Sequence, residues 1–262
     1  MKLQLVPAAQ GALWVRQGLR TFFRQPFGLI GLFMLFALLL LGLHVLPTIG
    51  TAIGLVLVPA FTSGFVRATQ AVDQGRFPMP DLLVSHWIRS RITRLRMLGL
   101  GGLYLLSIVL IMLLSVFADG GTLAQFYLLG GTLDEETLKN PGLLNAALLT
   151  LLLYVPVSMA FWHAPMLVVD EDMGPVKALF FSWMACKRNL AAFSVYGASW
   201  ALFYLALSMV VSTVGLLLGG PEVVQVLVFP LTLAMATLFF TSIHYSYRDC
   251  LAPSEGDPHD AT

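Results

Sequence analysis

Charge is what this sequence has least of. Only 11% of its 262 residues are Asp, Glu, Lys or Arg, against 58% apolar, and the mean hydropathy is +0.82. A water-soluble domain of this size cannot cover its surface with so few charges, which excludes a soluble enzyme. Two cysteines, Cys186 and Cys250, exclude a disulfide framework. The net charge of +1 leaves no electrostatic footprint for a nucleic acid. Neither G-x-G-x-x-G nor G-x-x-x-x-G-K occurs, so no nucleotide-binding motif is present. What the chain does have is six long apolar runs, 27–46, 48–66, 97–118, 143–169, 190–218 and 223–247. About 20 apolar residues suffice to cross a hydrocarbon core of ~30 Å, so six transmembrane helices are predicted. No Asp, Glu, Lys or Arg stands in the middle of any run. Ion-coupled pumps place such groups there at a cost of ~2.5–3.5 kcal/mol, so proton- or sodium-coupled transport loses support.

The scarce basic residues are distributed asymmetrically. With the N-terminus inside, 14 of the 15 Lys and Arg fall in cytoplasmic segments and only Lys139 lies outside. The positive-inside rule therefore puts both termini and the 67–96 loop in the cytoplasm, and the 119–142 loop outside. The basic region before the first run is too long, and the run itself too long, for a cleaved signal peptide, so this span is expected to remain. The fold class expected is an all-α membrane protein: one transmembrane domain over 1–247, with a polar, disordered tail over 248–262.

A pattern recurs three times. Trp14 with Arg16, Arg20 and Arg24, Trp87 with Arg89, Arg91, Arg94 and Arg96, and Trp183 with Lys187 and Arg188 each precede an odd-numbered span. In the first, arginines repeat every four residues beside an apolar face of Val15, Leu19 and Phe22 or Phe23. In the second, Val84, Ile88, Ile92 and Leu95 oppose His86, Arg89, Thr93 and Arg96. Each reads as an amphipathic cytoplasmic helix whose cations meet anionic headgroups with tryptophan at the interface. Prolines mark the even-numbered spans alone: Pro59, then Pro156 and Pro165, then Pro230, predicting recurrent kinks. The unit of surface helix, straight span and kinked span repeats over about 9–66, 81–169 and 175–247, and predicts three hairpins related by a pseudo-threefold axis along the membrane normal. In the outer loop, Thr132 to Glu135 reads as a capping box opening a short helix on the headgroups.

Little here points to chemistry. His163 and His244 fall in the same leaflet, and Phe161-Trp162-His163-Ala164-Pro165 concentrates aromatics, an ionisable ring and a proline at the inner interface. Trp162, His163 and His244 are therefore the candidate lining of a cavity. As a metal pair the histidines lack a third ligand at helical spacing, and Asp170, Glu171 and Asp172 read as a solvated turn. Cys186 stands beside Lys187 and Arg188, yet no base is placed to make it a nucleophile. No catalytic residue, cofactor or metal is expected.

Four strings, LQLVPAAQGALWVR at 3–16, GRFPMP at 75–80, FWHAP at 161–165 and WMACKRN at 183–189, together resemble an uncharacterised family of betaproteobacterial multi-pass inner-membrane proteins that carries a locus-style name. The likeness runs over most of the chain before Arg248. It implies a location in the bacterial inner (cytoplasmic) membrane and brings with it no activity, substrate or catalytic residue. The leading functional expectation is non-enzymatic binding of lipid, or of a membrane or cytoplasmic protein partner, through the basic surface helices. The alternative is a transporter or facilitator of a neutral or amphipathic solute through the centre of the three hairpins.

Overall fold

The computed structural model describes residues 2–46, 48–88, 90–129, 139–218 and 220–252. They form a 3-10 turn at Pro80–Leu83 and eleven α-helices: α1 (Gln10–Arg24), α2 (Pro26–Leu43), α3 (Ile49–Asp73), α4 (Ser85–Ile88), α5 (Arg91–Asp119), α6 (Thr122–Leu129), α7 (Gly142–Phe161), α8 (Ala164–Asp170), α9 (Pro175–Arg188), α10 (Leu190–Leu218) and α11 (Pro221–Cys250). Two-residue strands, β1 (Lys2–Leu3) and β2 (Leu251–Ala252), pair antiparallel. Six stretches are long and apolar enough to span a bilayer: α2, α3, α5, α7 with α8, Leu190–Gly215 of α10 and Val224–Cys250 of α11. The six runs read from the sequence are these six. By contact the chain divides into two compact units, the described residues of 1–34, 65–82 and 185–262, and those of 35–64 and 83–184.

In the first unit α1 packs on α10 and α11. Its buried face is Gly11, Trp14, Val15, Gly18, Thr21 and Phe22, a stripe at helical spacing. Two glycines on that stripe set the distance. A Cβ on Gly11 would lie 2.0 Å from the Ala192 carbonyl oxygen, and one on Gly18 2.7 Å from the Ser242 Cβ. On the same face Trp14 packs against aromatics, its ring tilted at 5.2 Å from Phe193 and edge-on at 6.0 Å from Tyr196. The N-terminal segment is held at both edges. Gln4 N–H donates to the Cys250 carbonyl at 2.9 Å, and Asn189 accepts from Val6 N–H and donates to the Gln4 carbonyl, each at 2.9 Å.

In the second unit α5 packs on α7 around Leu55, Tyr104, Ile108, Ile111 and Met112. Close approach again depends on a glycine, since a Cβ on Gly101 would lie 2.1 Å from the Val56 carbonyl oxygen. At the end of α5, Gly120 adopts φ 71°, and the Asp119 carboxylate accepts from Gly121 N–H at 2.9 Å and Leu123 N–H at 2.7 Å. Those bonds satisfy N–H groups at the start of α6 that have no intrahelical acceptor.

Several expectations are corrected. The three segments expected to repeat as surface helices are unequal: α1 has 15 residues and α9 has 14, whereas α4 has four. The second basic segment is instead the first turns of a span. Ser90 caps α5, accepting from Ile92 N–H, and the helix runs unbroken from Arg91 into the apolar run. Pro59, Pro156 and Pro230 do lie inside helices, but Pro165 stands in the first turn of α8. Its ring has no room beside the carbonyl four residues back, so the helix ends at Phe161 and restarts at Ala164. Ser182 bridges the break, accepting from His163 N–H and donating to the Met159 carbonyl, both at 2.9 Å. The polar tail starts later than Arg248, because α11 continues to Cys250 and β2 follows. Pro47, Arg89, the Thr132–Glu135 capping box and the tail from 253 lie outside the described residues.

Glycine contacts at α1 generate a direct expectation. Gly18→Leu forces α1 off α11 and lowers stability by ~1–3 kcal/mol, the usual cost of overpacking. Gly31→Ala, where nothing lies within 4 Å of the added Cβ, does not. Thermal midpoints of the purified variants in mild detergent check this; equal midpoints for the two would contradict it.

Candidate functional site

The basic face of α1 is fixed from beneath by two carboxylates. Asp73, the last residue of α3, accepts from the Thr21 hydroxyl at 2.6 Å and from the Tyr245 hydroxyl at 2.8 and 2.9 Å. Arg24 approaches it at 3.4 Å and His244 Nε2 at 3.8 Å. Asp249, in the last turn of α11, accepts from the Gln10 amide at 2.6 Å and from the Trp14 indole N–H at 2.9 Å, and pairs with Arg248 at 2.8 Å. Both acids sit at helix C-termini, where the macrodipole disfavours negative charge, so the donors brought by α1 stabilise them as much as they hold α1.

With its inner face so engaged, α1 presents Arg16, Arg20 and Arg24 outward. Beside them Phe23 is 70% exposed, and Phe27, at the entry of α2, 89%. The tryptophan expected at the lipid interface is not there: Trp14 is fully buried, because its ring packs on Phe193 and Tyr196 and its N–H has found Asp249. Trp87 is half-buried and donates to the Leu83 carbonyl at 3.1 Å. Trp183 is half-buried on α9, with Lys187 and Arg188 exposed at that helix's end. Arg96 is partly taken up within the fold, donating to the Asp172 carbonyl at 2.5 Å and pairing with its carboxylate.

The residues expected to line a cavity, Trp162, His163 and His244, fall in different units. His163 is fully buried in the second unit at the helix break, and His244 is buried in the first unit beside Asp73. Two clefts among the described residues are lined by other side chains. One, of ≈ 290 Å³ in the second unit, lies between His44, Gly54, Val58 and Tyr127; the other, of ≈ 250 Å³ in the first unit, lies between α10 and α11. Among the described residues no three His, Cys, Asp or Glu side chains are grouped to hold a metal. Cys186 is buried, and burial pushes its thiol up despite the neighbouring Lys187 and Arg188. Sequence reasoning missed Asp73, Asp249, Thr21 and Tyr245. One signal was available: a tryptophan on the glycine-bearing face of a helix is destined for burial, and its N–H then needs an acceptor.

No family model and no solved structure matches the chain. Over 259 residues it is 36% identical to a probable inner membrane protein of Burkholderia thailandensis, covering 97% of this chain and 96% of that one. The likeness therefore extends over nearly the whole of both chains. Six membrane-compatible helices and full-length similarity agree, and the chain belongs to the family of that inner-membrane protein.

Proposed function

We propose that the chain is a non-enzymatic inner-membrane protein that holds anionic lipid headgroups on the outward face of α1, with both termini and that face in the cytoplasm. One observation carries the reading: α1 is locked on its inner face and presents three exposed arginines, one turn apart, on the other, of which Arg24 alone also reaches Asp73, at 3.4 Å. Arg24 is separated from α2 by a single residue, so the arginine row runs directly to the membrane entry, and Phe23 and Phe27 are the apolar groups beside it. Cations at such a surface each contribute ~1 kcal/mol of attraction to anionic lipid, and aromatic rings add interfacial anchoring. A helix that is already ordered binds without the cost of ordering it. The cytoplasmic placement is supported by the distribution of the 15 basic residues, 14 of them on one side. An acidic protein surface would use the same charges, but the exposed phenylalanines favour lipid.

Two measurements test the reading. In nanodiscs, replacing phosphatidylcholine by phosphatidylglycerol raises the thermal midpoint of the wild type, and the R16Q/R20Q/R24Q variant loses most of that rise, ~3 kcal/mol at low salt. An identical lipid dependence in both proteins would overturn headgroup binding by α1. For orientation, with Cys186 and Cys250 replaced, Lys139→Cys is labelled by an impermeant maleimide on spheroplasts and Ser90→Cys is not; the reverse result would put the face on the wrong side.

A further inference from the structure

The cleft between α10 and α11 is lined by four hydroxyl groups, those of Tyr204, Ser208, Ser212 and Thr232, set among aliphatic side chains. None of the four makes a hydrogen bond among the described residues. Elsewhere on the same helices hydroxyls do: Ser199, Thr213, Thr237 and Thr241 each donate to the carbonyl four residues back, at 2.7–2.8 Å. Tyr204 is 61% exposed, Ser212 and Thr232 are exposed, and Ser208 is half-buried.

Depth makes this informative. At ~1.5 Å per residue, Ser212, Ser208 and Tyr204 lie roughly 9, 15 and 21 Å along α10 from its end at Leu218, and Thr232 roughly 16 Å along α11 from Pro221. Glu222, exposed in the first turn of α11, marks the interface at that end. All four hydroxyls therefore lie within a hydrocarbon core of ~30 Å, where acyl chains offer neither donor nor acceptor and water is absent. A partner that brings hydrogen-bonding groups to that depth finds four hydroxyls to pair with.

We infer that the cleft is the contact surface for a second copy of this chain, packed through α10. A hydroxyl both donates and accepts, so the ladder Tyr204, Ser208, Ser212 is complementary to itself, which a row of amides fixed in orientation or of like charges would not be. A second copy inserts in the same orientation. A twofold axis along the membrane normal then sets each hydroxyl opposite its counterpart at equal depth, the isologous arrangement of most homodimers. The small side chains of Ser208 and Ser212, one turn apart, let the two backbones approach closely enough to bond. A phospholipid cannot substitute, because its carbonyls stay at the headgroup level.

The test is crosslinking in native membranes, using the full chain with Cys186→Ala and Cys250→Ala. Iodine oxidation of Ser208→Cys yields a covalent dimer at least tenfold more abundant than that from Ala206→Cys, which is exposed on the opposite side of α10. Equal yields, or no dimer from either, would overturn the inference. Independently, wild-type copies bearing two different tags co-purify from mixed expression, and the S208L/S212L variant does so at least tenfold less. Failure of the wild-type copies to co-purify, including recovery of a monomer carrying bound lipid, would overturn it, as would undiminished co-purification of the variant.

Discussion

Two carboxylates at the ends of membrane helices hold the N-terminal surface helix in place, and the cytoplasmic face proposed for this protein depends on them. Asp73 and Asp249 each occupy the last turn of a span, where the peptide dipoles oppose their charge. Asp249 has Arg248 beside it at 2.8 Å, whereas Asp73 has no basic residue next to it in sequence. Each is stabilised by donors from α1: Thr21 and Arg24 for the first, Gln10 and Trp14 for the second. Tyr245 joins the Asp73 group from α11, so three helices end in one hydrogen-bonded cluster. Charge-assisted hydrogen bonds of this kind contribute ~1.5–3 kcal/mol each, more than a surface ion pair, and they fix direction as well as distance.

The consequence is a division of labour on one short helix. Glycines 11 and 18 bring the backbone of α1 to its neighbours, Trp14 and Phe22 fill what remains, and the polar groups between them reach the acids. The arginines, offset by half a turn, are released from any structural duty on that face apart from the long contact of Arg24 with Asp73. A basic helix that merely floated at the interface would place its cations only on average. Here their spacing is set by the fold, and the hydroxyl-bearing cleft on the same unit lies far along α10 from this end, so the two contacts proposed above would not compete for surface.

The six spans were legible because a bilayer demands about 20 apolar residues at a stretch, and nothing else in the chain mimics that signal. The surface helices were less so. Basic residues with a tryptophan describe α1 and the start of α5 equally well; only the Ser90 cap, set by local backbone geometry, turns the second into the foot of a span. Trp14 was misplaced because composition cannot say which of two faces is buried, although Gly11, Gly18 and Thr21 on one side argue for it. Pro165 read as a kink, yet its effect depends on Ser182, 17 positions later, which satisfies the groups the break exposes. Asp73 carries no mark in its local sequence, and its partners lie 52 and 172 residues away. Long-range hydrogen bonds of that kind leave no periodicity to detect.

Hydrogen exchange measures the claim on which the rest stands, that α1 is locked to the first unit and does not float on the membrane. In wild-type protein held in nanodiscs, the amides of Gln10–Arg24 should exchange as slowly as those in the last turns of α11. In an Asp73→Asn, Asp249→Asn double variant they should exchange at least tenfold faster while α5 and α7 are unchanged. Rapid exchange of α1 in the wild type, or protection that persists after both acids are neutralised, would contradict it.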